Sequence, residues 1–190
     1  MFSLCVGKGR QIAAILRDSL CRTRNTQRHL WISVSRELVV DAQRDLNDVG
    51  IHCKLHDGSE LLNQYAATSV AGLGAALGLG KGILFLTYTL LVSGRRMEEI
   101  IQWLASGMST SSSASRKNEC WEMEQKFDRC IIFDEAHKAK NLDADTATAK
   151  LVIQLQRRLP RARVVYCSAT GVSDVKHMVR VCAFPFLFFF

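Results

Sequence analysis

Two acidic side chains and a histidine follow a short apolar run in the middle of the chain. The run 130–133, Cys-Ile-Ile-Phe, predicts a buried strand of a parallel sheet, and Asp134, Glu135 and His137 come just after it. In open α/β sheets, ligands bind at the carboxyl ends of the strands. A carboxylate there can hold Mg²⁺ through its waters, and a second can polarise the water that attacks a phosphoryl group. The pattern therefore indicates a Walker B element; the alternative is a solvated acidic turn after a core strand.

A glycine-rich basic turn lies near the N-terminus. Gly7, Lys8, Gly9 and Arg10 lead into the segment 11–20, whose apolar residues recur at helical spacing. The N–H groups of such a turn and the positive end of the following helix can cradle a phosphate, and a lysine there can reach its oxygens. The match is partial, because the full pattern has Gly at position 2 and Ser or Thr at position 9. The alternative is a flexible basic turn before a surface helix.

The segments around these motifs alternate between strand and helix patterns. Strands are predicted at 29–35, 51–55, 82–88, 130–133 and 163–167, and helices at 11–20, 36–49, 97–104 and 146–159, with 61–79 as mixed helix and loop. This alternation predicts an α/β fold with a mostly parallel sheet flanked by helices. The strand tips then share one edge, where we expect Lys8, Asp134, Glu135, Ser168 and Thr170 to converge.

Composition narrows the function classes only modestly. The 190 residues carry 25 Lys and Arg against 18 Asp and Glu, a net charge of +7 that favours a polyanionic partner. Seven cysteines without a CxxC pair fit a reducing intracellular compartment. His52, Cys53 and His56 form a metal-like cluster, but they lack a fourth ligand nearby, which favours a surface strand and turn over zinc. We expect no membrane segment and no signal peptide.

Four stretches together resemble the strawberry notch proteins, helicase-like transcriptional regulators of superfamily 2. They are residues 7–11, 31–35, 133–141 and 159–171, within a similarity that runs from about residue 6 to 178. The resemblance implies the first of two RecA-like P-loop NTPase lobes. It also implies a nuclear protein that acts with chromatin or nucleic acid and with other transcription regulators.

The resemblance also implies a role for each matching residue, with ATP and Mg²⁺ as cofactors. Phosphate binding falls to Gly7, Lys8, Gly9 and Arg10, and Asp134 would hold Mg²⁺ through water. Glu135 would act on the attacking water, and His137, in the Asp-Glu-Ala-His (DEAH) box, would join with Ser168 and Thr170 to couple nucleotide state to nucleic-acid binding. Contacts to the nucleic-acid backbone would come from Ser35, Arg36, Thr87 and Tyr88.

The sequence departs from the family pattern at both ends. Cys5 stands where the family has a loop glycine, and its side chain crowds the approach of phosphate to the backbone. We therefore expect one ATP-binding domain over 1–178, truncated at both ends, with a flexible insertion at 106–126 and an unrelated apolar tail at 179–190. The second RecA-like lobe, with the arginines that assist phosphoryl transfer, lies outside these residues, so an ATP-dependent helicase-like activity is not assured for them. The alternative is a catalytically inactive fragment that serves as a protein-interaction module.

Overall fold

Six strands form one parallel sheet in this computed structural model, which describes residues 7–22, 28–59, 82–92, 96–106, 124–136, 147–168 and 187–189. The strand order is β2-β3-β1-β4-β5-β6, and every pair of neighbours is parallel. The strands are β1 (Arg28–Ser33), β2 (Leu55–Asp57), β3 (Gly82–Thr87), β4 (Cys130–Phe133), β5 (Arg163–Cys167) and β6 (Leu187–Phe189). The predicted α/β fold with a parallel sheet is confirmed.

Within the described ranges, five helices with bounds at both ends connect and cover these strands. They are α1 (Lys8–Arg22), α2 (Leu38–Asp48), α3 (Tyr88–Val92), α4 (Arg96–Ser106) and α5 (Ala147–Arg158). Four of them lie where the apolar periodicity predicts a helix, since α1, α2, α4 and α5 match the predicted segments to within a few residues at each end. The short helix α3 was not predicted.

The central strands are buried on both faces, which explains their nearly continuous apolar sequences. In β1, Leu30 and Ile32 belong to one core cluster, which includes residues of α3, α4 and α5. Trp31 belongs to a second cluster with residues of α1 and α2, on the opposite face of the sheet. The sheet is therefore a middle layer between two helical layers, and its two core clusters fix the strand register.

The register aligns the carboxyl ends of the central strands. Ile32 of β1 is paired with Phe133 of β4, and Phe133 is paired with Tyr166 of β5. On the other side of β1, Ser33 is paired with Thr87, the last residue of β3. The residues that follow these strands consequently meet at one edge of the sheet.

Strand β2 begins later than the predicted strand 51–55. The amide of Gln43 on α2 donates to the carbonyl oxygen of Cys53 at 3.2 Å and accepts from the Leu55 N–H at 2.7 Å. These bonds tie the backbone before β2 to the helix, and pairing with β3 starts only at Leu55. The tertiary contact from α2 therefore overrides the local strand preference of this segment.

Four further boundaries differ from the prediction. The predicted strand 29–35 ends at Ser33. The predicted strand 82–88 ends at Thr87, because its Oγ1 accepts from the Leu90 N–H at 3.2 Å and Tyr88 starts α3. The predicted insertion 106–126 ends earlier, since Glu124 is buried and bound by Arg158. Residues 179–190, where no element was predicted, supply β6. The mixed segment 61–79 lies outside the described residues.

Membrane spans and metal clusters are both absent from the described part of the chain. Across the described helices, none is long and apolar enough to cross a membrane. Within the same residues, no group of three His, Cys, Asp or Glu side chains is arranged to hold a metal ion. His52, Cys53 and His56 therefore do not form such a group.

A buried histidine lies near the amino ends of the central strands. His29 of β1 is fully buried, and its Nδ1 accepts from the Cys130 N–H at 3.2 Å. Burial, together with the charges of Arg129 and Arg163, lowers the pKa of His29 from 6.5 to about 3. Because the unfolded chain binds a proton at this histidine more readily than the folded chain, acid destabilises the fold.

We predict that His29 makes the free energy of unfolding depend on pH between about 6.5 and 3. In this range the contribution of His29 falls by about 1.4 kcal/mol for each pH unit of acidification, and it is fully present above pH 6.5. Urea unfolding of His29→Asn at several pH values measures it, because asparagine keeps an acceptor but does not titrate. The exposed His52→Asn is the matched control. Parallel pH profiles for the chain and for His29→Asn would contradict the prediction.

Candidate nucleotide-binding site

The amino end of α1 carries the basic part of the site. Gly7 has φ +108°, a conformation that favours glycine, and its carbonyl oxygen accepts from the Gln11 N–H at 2.9 Å. The first turn of α1 contains no acidic side chain. The helix therefore starts abruptly at Lys8, with its free N–H groups and its positive dipole end uncompensated by a carboxylate on the helix itself.

Lys8 binds both carboxylates at the tip of β4. Its Nζ lies 3.0 Å from Asp134 Oδ1 and also bonds Glu135 Oε1. The three side chains are only 17%, 10% and 20% exposed, so water screens these charges weakly. Burial lowers the pKa of Lys8, but the hydrogen bond to Glu135 and the charge of Asp134 outweigh it, and the net pKa lies above its usual value. Lys8 is therefore a firmly held cation.

Asp134 is held in place by groups from two neighbouring strand ends. The Ser33 hydroxyl donates to Asp134 Oδ2 at 2.9 Å, and the Asp134 N–H donates to the carbonyl oxygen of Ile32 at 2.8 Å. The Tyr88 hydroxyl donates to the Asp134 carbonyl oxygen at 2.9 Å. The sequence prediction did not include Ser33 in the site, although a polar residue at the end of an apolar strand was an available signal.

Glu135 has an unusual backbone conformation. Its φ is +51°, and its N–H donates to Asp134 Oδ1 at 2.9 Å. A non-glycine residue in this region costs free energy and persists where the surroundings hold it, as happens at functional sites. Here the turn directs the Glu135 side chain to Lys8, next to Asp134. The strained turn thus brings two consecutive residues to the same cation.

The nearby hydroxyl and thiol remain protonated at neutral pH. Burial, with the charge of Asp134, raises the pKa of Tyr88 well above its usual value. Burial and the same carboxylate raise the pKa of Cys167 to about 12. Tyr88 is therefore a stable hydrogen-bond donor, and Cys167 is not a thiolate nucleophile.

The other residues predicted to bind phosphate lie on the side of α1 that faces α2. A methyl group at Gly9 would overlap with the Asp45 carboxylate, so glycine permits close contact of the two helices. The exposed Arg10 guanidinium lies 3.0 Å from Asp48 Oδ2. The structure thus gives Gly9 and Arg10 contacts to α2, unlike Lys8, which contacts the acidic pair.

The residues predicted to touch nucleic acid surround the same edge but differ in accessibility. Ser35 is half-buried and accepts from the Glu37 N–H at 3.3 Å, and the exposed Arg36 forms an ion pair with Asp57. Thr87 caps α3. The predicted nucleic-acid contact is wrong for Tyr88, because its side chain is buried and its hydroxyl points to Asp134 instead of to the surface.

The predicted coupling residues are described only in part. Ser168 is buried and directly follows β5, the strand next to β4. His137 and Thr170 lie outside the described residues. The proposed coupling of nucleotide state to nucleic acid therefore stays a prediction.

The site fits a divalent cation and a phosphate group. The Lys8 ammonium already lies against the two carboxylates, which shows that the acidic pair accommodates a positive charge. Hard oxygen donors of this kind suit Mg²⁺. On the phosphate side, a Cβ added at Gly7 would meet no atom of the described residues within 4 Å. Asp134 could then hold Mg²⁺, and Gly7 and Lys8 could contact phosphate.

Comparisons with known proteins agree with this arrangement. The family described as P-loop containing NTP hydrolase pore-1 matches residues 3–184. The chain is 35% identical over 183 residues to Protein FORGETTER 1 of Arabidopsis thaliana. It is 36% identical over 188 residues to Protein strawberry notch of Drosophila melanogaster and 36% identical over 187 residues to human Protein strawberry notch homolog 1.

This chain belongs to the strawberry notch family. Each of these three matches covers 91% of the chain but only 12%, 10% and 12% of the relatives' own lengths. The chain therefore corresponds to about a tenth of a strawberry notch protein, the part that holds a P-loop NTPase domain.

We predict that Lys8→Met destabilises the fold at neutral pH. Two adjacent carboxylates would lose their shared cation, which should lower the free energy of unfolding by about 1–3 kcal/mol. Denaturant unfolding at neutral pH is the measurement.

Arg10→Met is the matched control for this change. It lies two positions along α1, and its ion pair with Asp48 is exposed, so little loss is expected. The double variant Lys8→Met/Glu135→Gln should regain part of the stability. An equal loss in the Lys8 and Arg10 variants would contradict the prediction.

Proposed function

We propose that this domain is an ATP-binding, helicase-like lobe of a strawberry notch type regulator of DNA-templated transcription. Membership of a P-loop NTPase family supports nucleotide binding. The observation that carries the proposal is the convergence of Lys8, at the start of α1, with Asp134 and Glu135, at the tip of β4. A phosphate-binding lysine and an acidic pair on neighbouring elements are the parts that nucleotide hydrolysis requires of one lobe.

Each residue of this group has a distinct proposed role. Lys8 would move from the carboxylates to the β and γ phosphates, and Gly7 would leave the backbone open to them. Asp134 would hold Mg²⁺, which supplies charge neutralisation between the phosphates. Glu135 would then be free to accept a proton from the attacking water. In this proposal the ion pair with Lys8 keeps the acidic pair neutralised until a nucleotide binds.

The nuclear and nucleic-acid parts of the proposal have a different support. Two of the relatives carry the name strawberry notch, and we extend the transcriptional role and the nuclear location of that family to this chain. The net charge of +7 is compatible with chromatin or nucleic acid as a partner. Ser35, Arg36 and Thr87 follow or end strands near the site and would be the contacts.

The first test is calorimetry with ATP and Mg²⁺ on residues 1–190. We predict weak binding, and Lys8→Ala should reduce the affinity about tenfold or more, because charge-assisted bonds to phosphate are lost. Arg10→Ala, with its guanidinium bound to α2, should bind like the unchanged chain. Sub-micromolar binding that survives Lys8→Ala would place the phosphate site elsewhere.

The second test is fluorescence anisotropy with a labelled oligonucleotide over a range of salt concentrations. We predict weak, largely sequence-independent binding that falls steeply as salt rises, because phosphate contacts release counterions. Arg36→Ala should lower the slope of log K against log salt by about one. The exposed Arg22→Ala on α1 is the control.

A flat salt response would contradict the nucleic-acid proposal. If the folded chain binds no nucleotide, the alternative function is favoured, namely a catalytically inactive module that contacts proteins only. The two tests therefore address the ATP and nucleic-acid parts of the proposal separately.

A further inference from the structure

Two hydroxyl groups outside the acidic pair converge on Asp134 from different strands. Ser33 ends β1 and Tyr88 follows β3, and both side chains are buried. The Ser33 hydroxyl binds the Asp134 carboxylate, whereas the Tyr88 hydroxyl binds the Asp134 backbone carbonyl, each at 2.9 Å. Neither contact is one of the backbone hydrogen bonds of the sheet, since each is donated by a side-chain hydroxyl at its edge.

The bonds around Asp134 leave its carboxylate little freedom. Oδ2 accepts from Ser33, and Oδ1 accepts from the Glu135 N–H and lies 3.0 Å from Lys8 Nζ. When Lys8 turns to a phosphate, the Ser33 hydroxyl and the Glu135 N–H are the remaining donors among these that fix the carboxylate. Ser33 is therefore the one side chain of these that still orients Asp134 when Lys8 has turned away.

Tyr88 restrains the peptide bond between Asp134 and Glu135. Its hydroxyl bonds the carbonyl of Asp134, and that carbonyl belongs to the peptide that leads into Glu135, whose φ is +51°. An unfavourable conformation persists only where the surroundings hold it. The buried tyrosine is one such restraint, and it sets the direction in which the Glu135 side chain leaves the turn.

We propose that Ser33 and Tyr88 are positioning residues for the acidic pair, Ser33 for the carboxylate that holds Mg²⁺ and Tyr88 for the turn that presents Glu135. The proposal rests on the proposed nucleotide binding. Groups that hydrogen-bond metal-holding carboxylates orient them, and their loss costs about 10–100-fold in metal affinity or activity. Neither hydroxyl touches the reacting atoms, so their loss should affect Mg²⁺ use and leave the lysine's phosphate contact in place.

The test measures ATP affinity of the full chain while Mg²⁺ is titrated, and again in EDTA. Ser33→Ala and Tyr88→Phe should each raise the Mg²⁺ concentration needed for half-maximal binding by about tenfold. Their affinity for ATP in EDTA should equal that of the unchanged chain. A merely structural defect would lower both affinities together, so the ratio of the two identifies positioning.

Two matched controls are available in the chain. Ser19→Ala removes another buried serine, whose side chain bonds Cys130 instead of the acidic pair. Tyr166→Phe removes another buried tyrosine hydroxyl, which bonds Gln156. Both controls should keep the Mg²⁺ requirement of the unchanged chain.

Amide hydrogen exchange at Glu135 is a second measurement, and it tests the proposal without nucleotide. The Glu135 N–H bonds the carboxylate that Ser33 orients, so its hydrogen exchange, followed by NMR, should become faster in Ser33→Ala and Tyr88→Phe but not in the controls. If Lys8→Ala abolishes ATP binding but the Mg²⁺ requirement is unchanged in both test variants, positioning is wrong and nucleotide binding stands. If neither the unchanged chain nor any variant binds ATP, the proposed function fails. Unchanged hydrogen exchange at Glu135 in Ser33→Ala and Tyr88→Phe would then overturn the positioning role as well.

Discussion

The positive charge of Lys8 allows two carboxylates to lie side by side at the tip of β4. Asp134 and Glu135 are consecutive, mostly buried and held at one point by a turn with a positive φ at Glu135. Without a cation between them, their repulsion in a poorly screened environment would oppose the turn. Because the cation comes from the first turn of α1, the position of that helix on the sheet is linked to the charge balance of the site. Packing of α1 against β4 and α2 is therefore a condition for the arrangement of the acidic pair.

Much of this arrangement could be predicted from sequence because it depends on local patterns. The apolar run before Asp134 indicated β4, and the spacing of Ile12 and Leu16 indicated α1. Parallel strands share a carboxyl edge, so the meeting of Lys8 with the acidic pair followed from the fold class together with the two motifs. The prediction that these residues converge is confirmed for Lys8, Asp134 and Glu135 by their direct contacts.

What sequence could not provide depends on tertiary contacts. Tyr88 was predicted as the last residue of a strand and as a nucleic-acid contact, and only the start of α3 turns its hydroxyl to Asp134. Ser33 was predicted inside the strand 29–35, and only the end of β1 at this residue brings its hydroxyl to Asp134. The predicted start of β2 was wrong for a similar reason, because Gln43 on α2 holds the backbone before Leu55. In each case one side chain from a distant element decides the outcome.

The ion pairs of Arg158 have a consequence for how this domain tolerates change. Its guanidinium bonds Glu124, just before β4, through Nε and Nη2 at 2.6 Å each, and bonds Glu98 on α4 at 3.1 and 3.3 Å. One group at the end of α5 thus anchors the chain on both sides of residues 107–123. Loss of this one guanidinium would therefore release α4 and the segment before β4 together. A change at the end of α5, far from the acidic pair, can in this way reach the strand that presents Asp134.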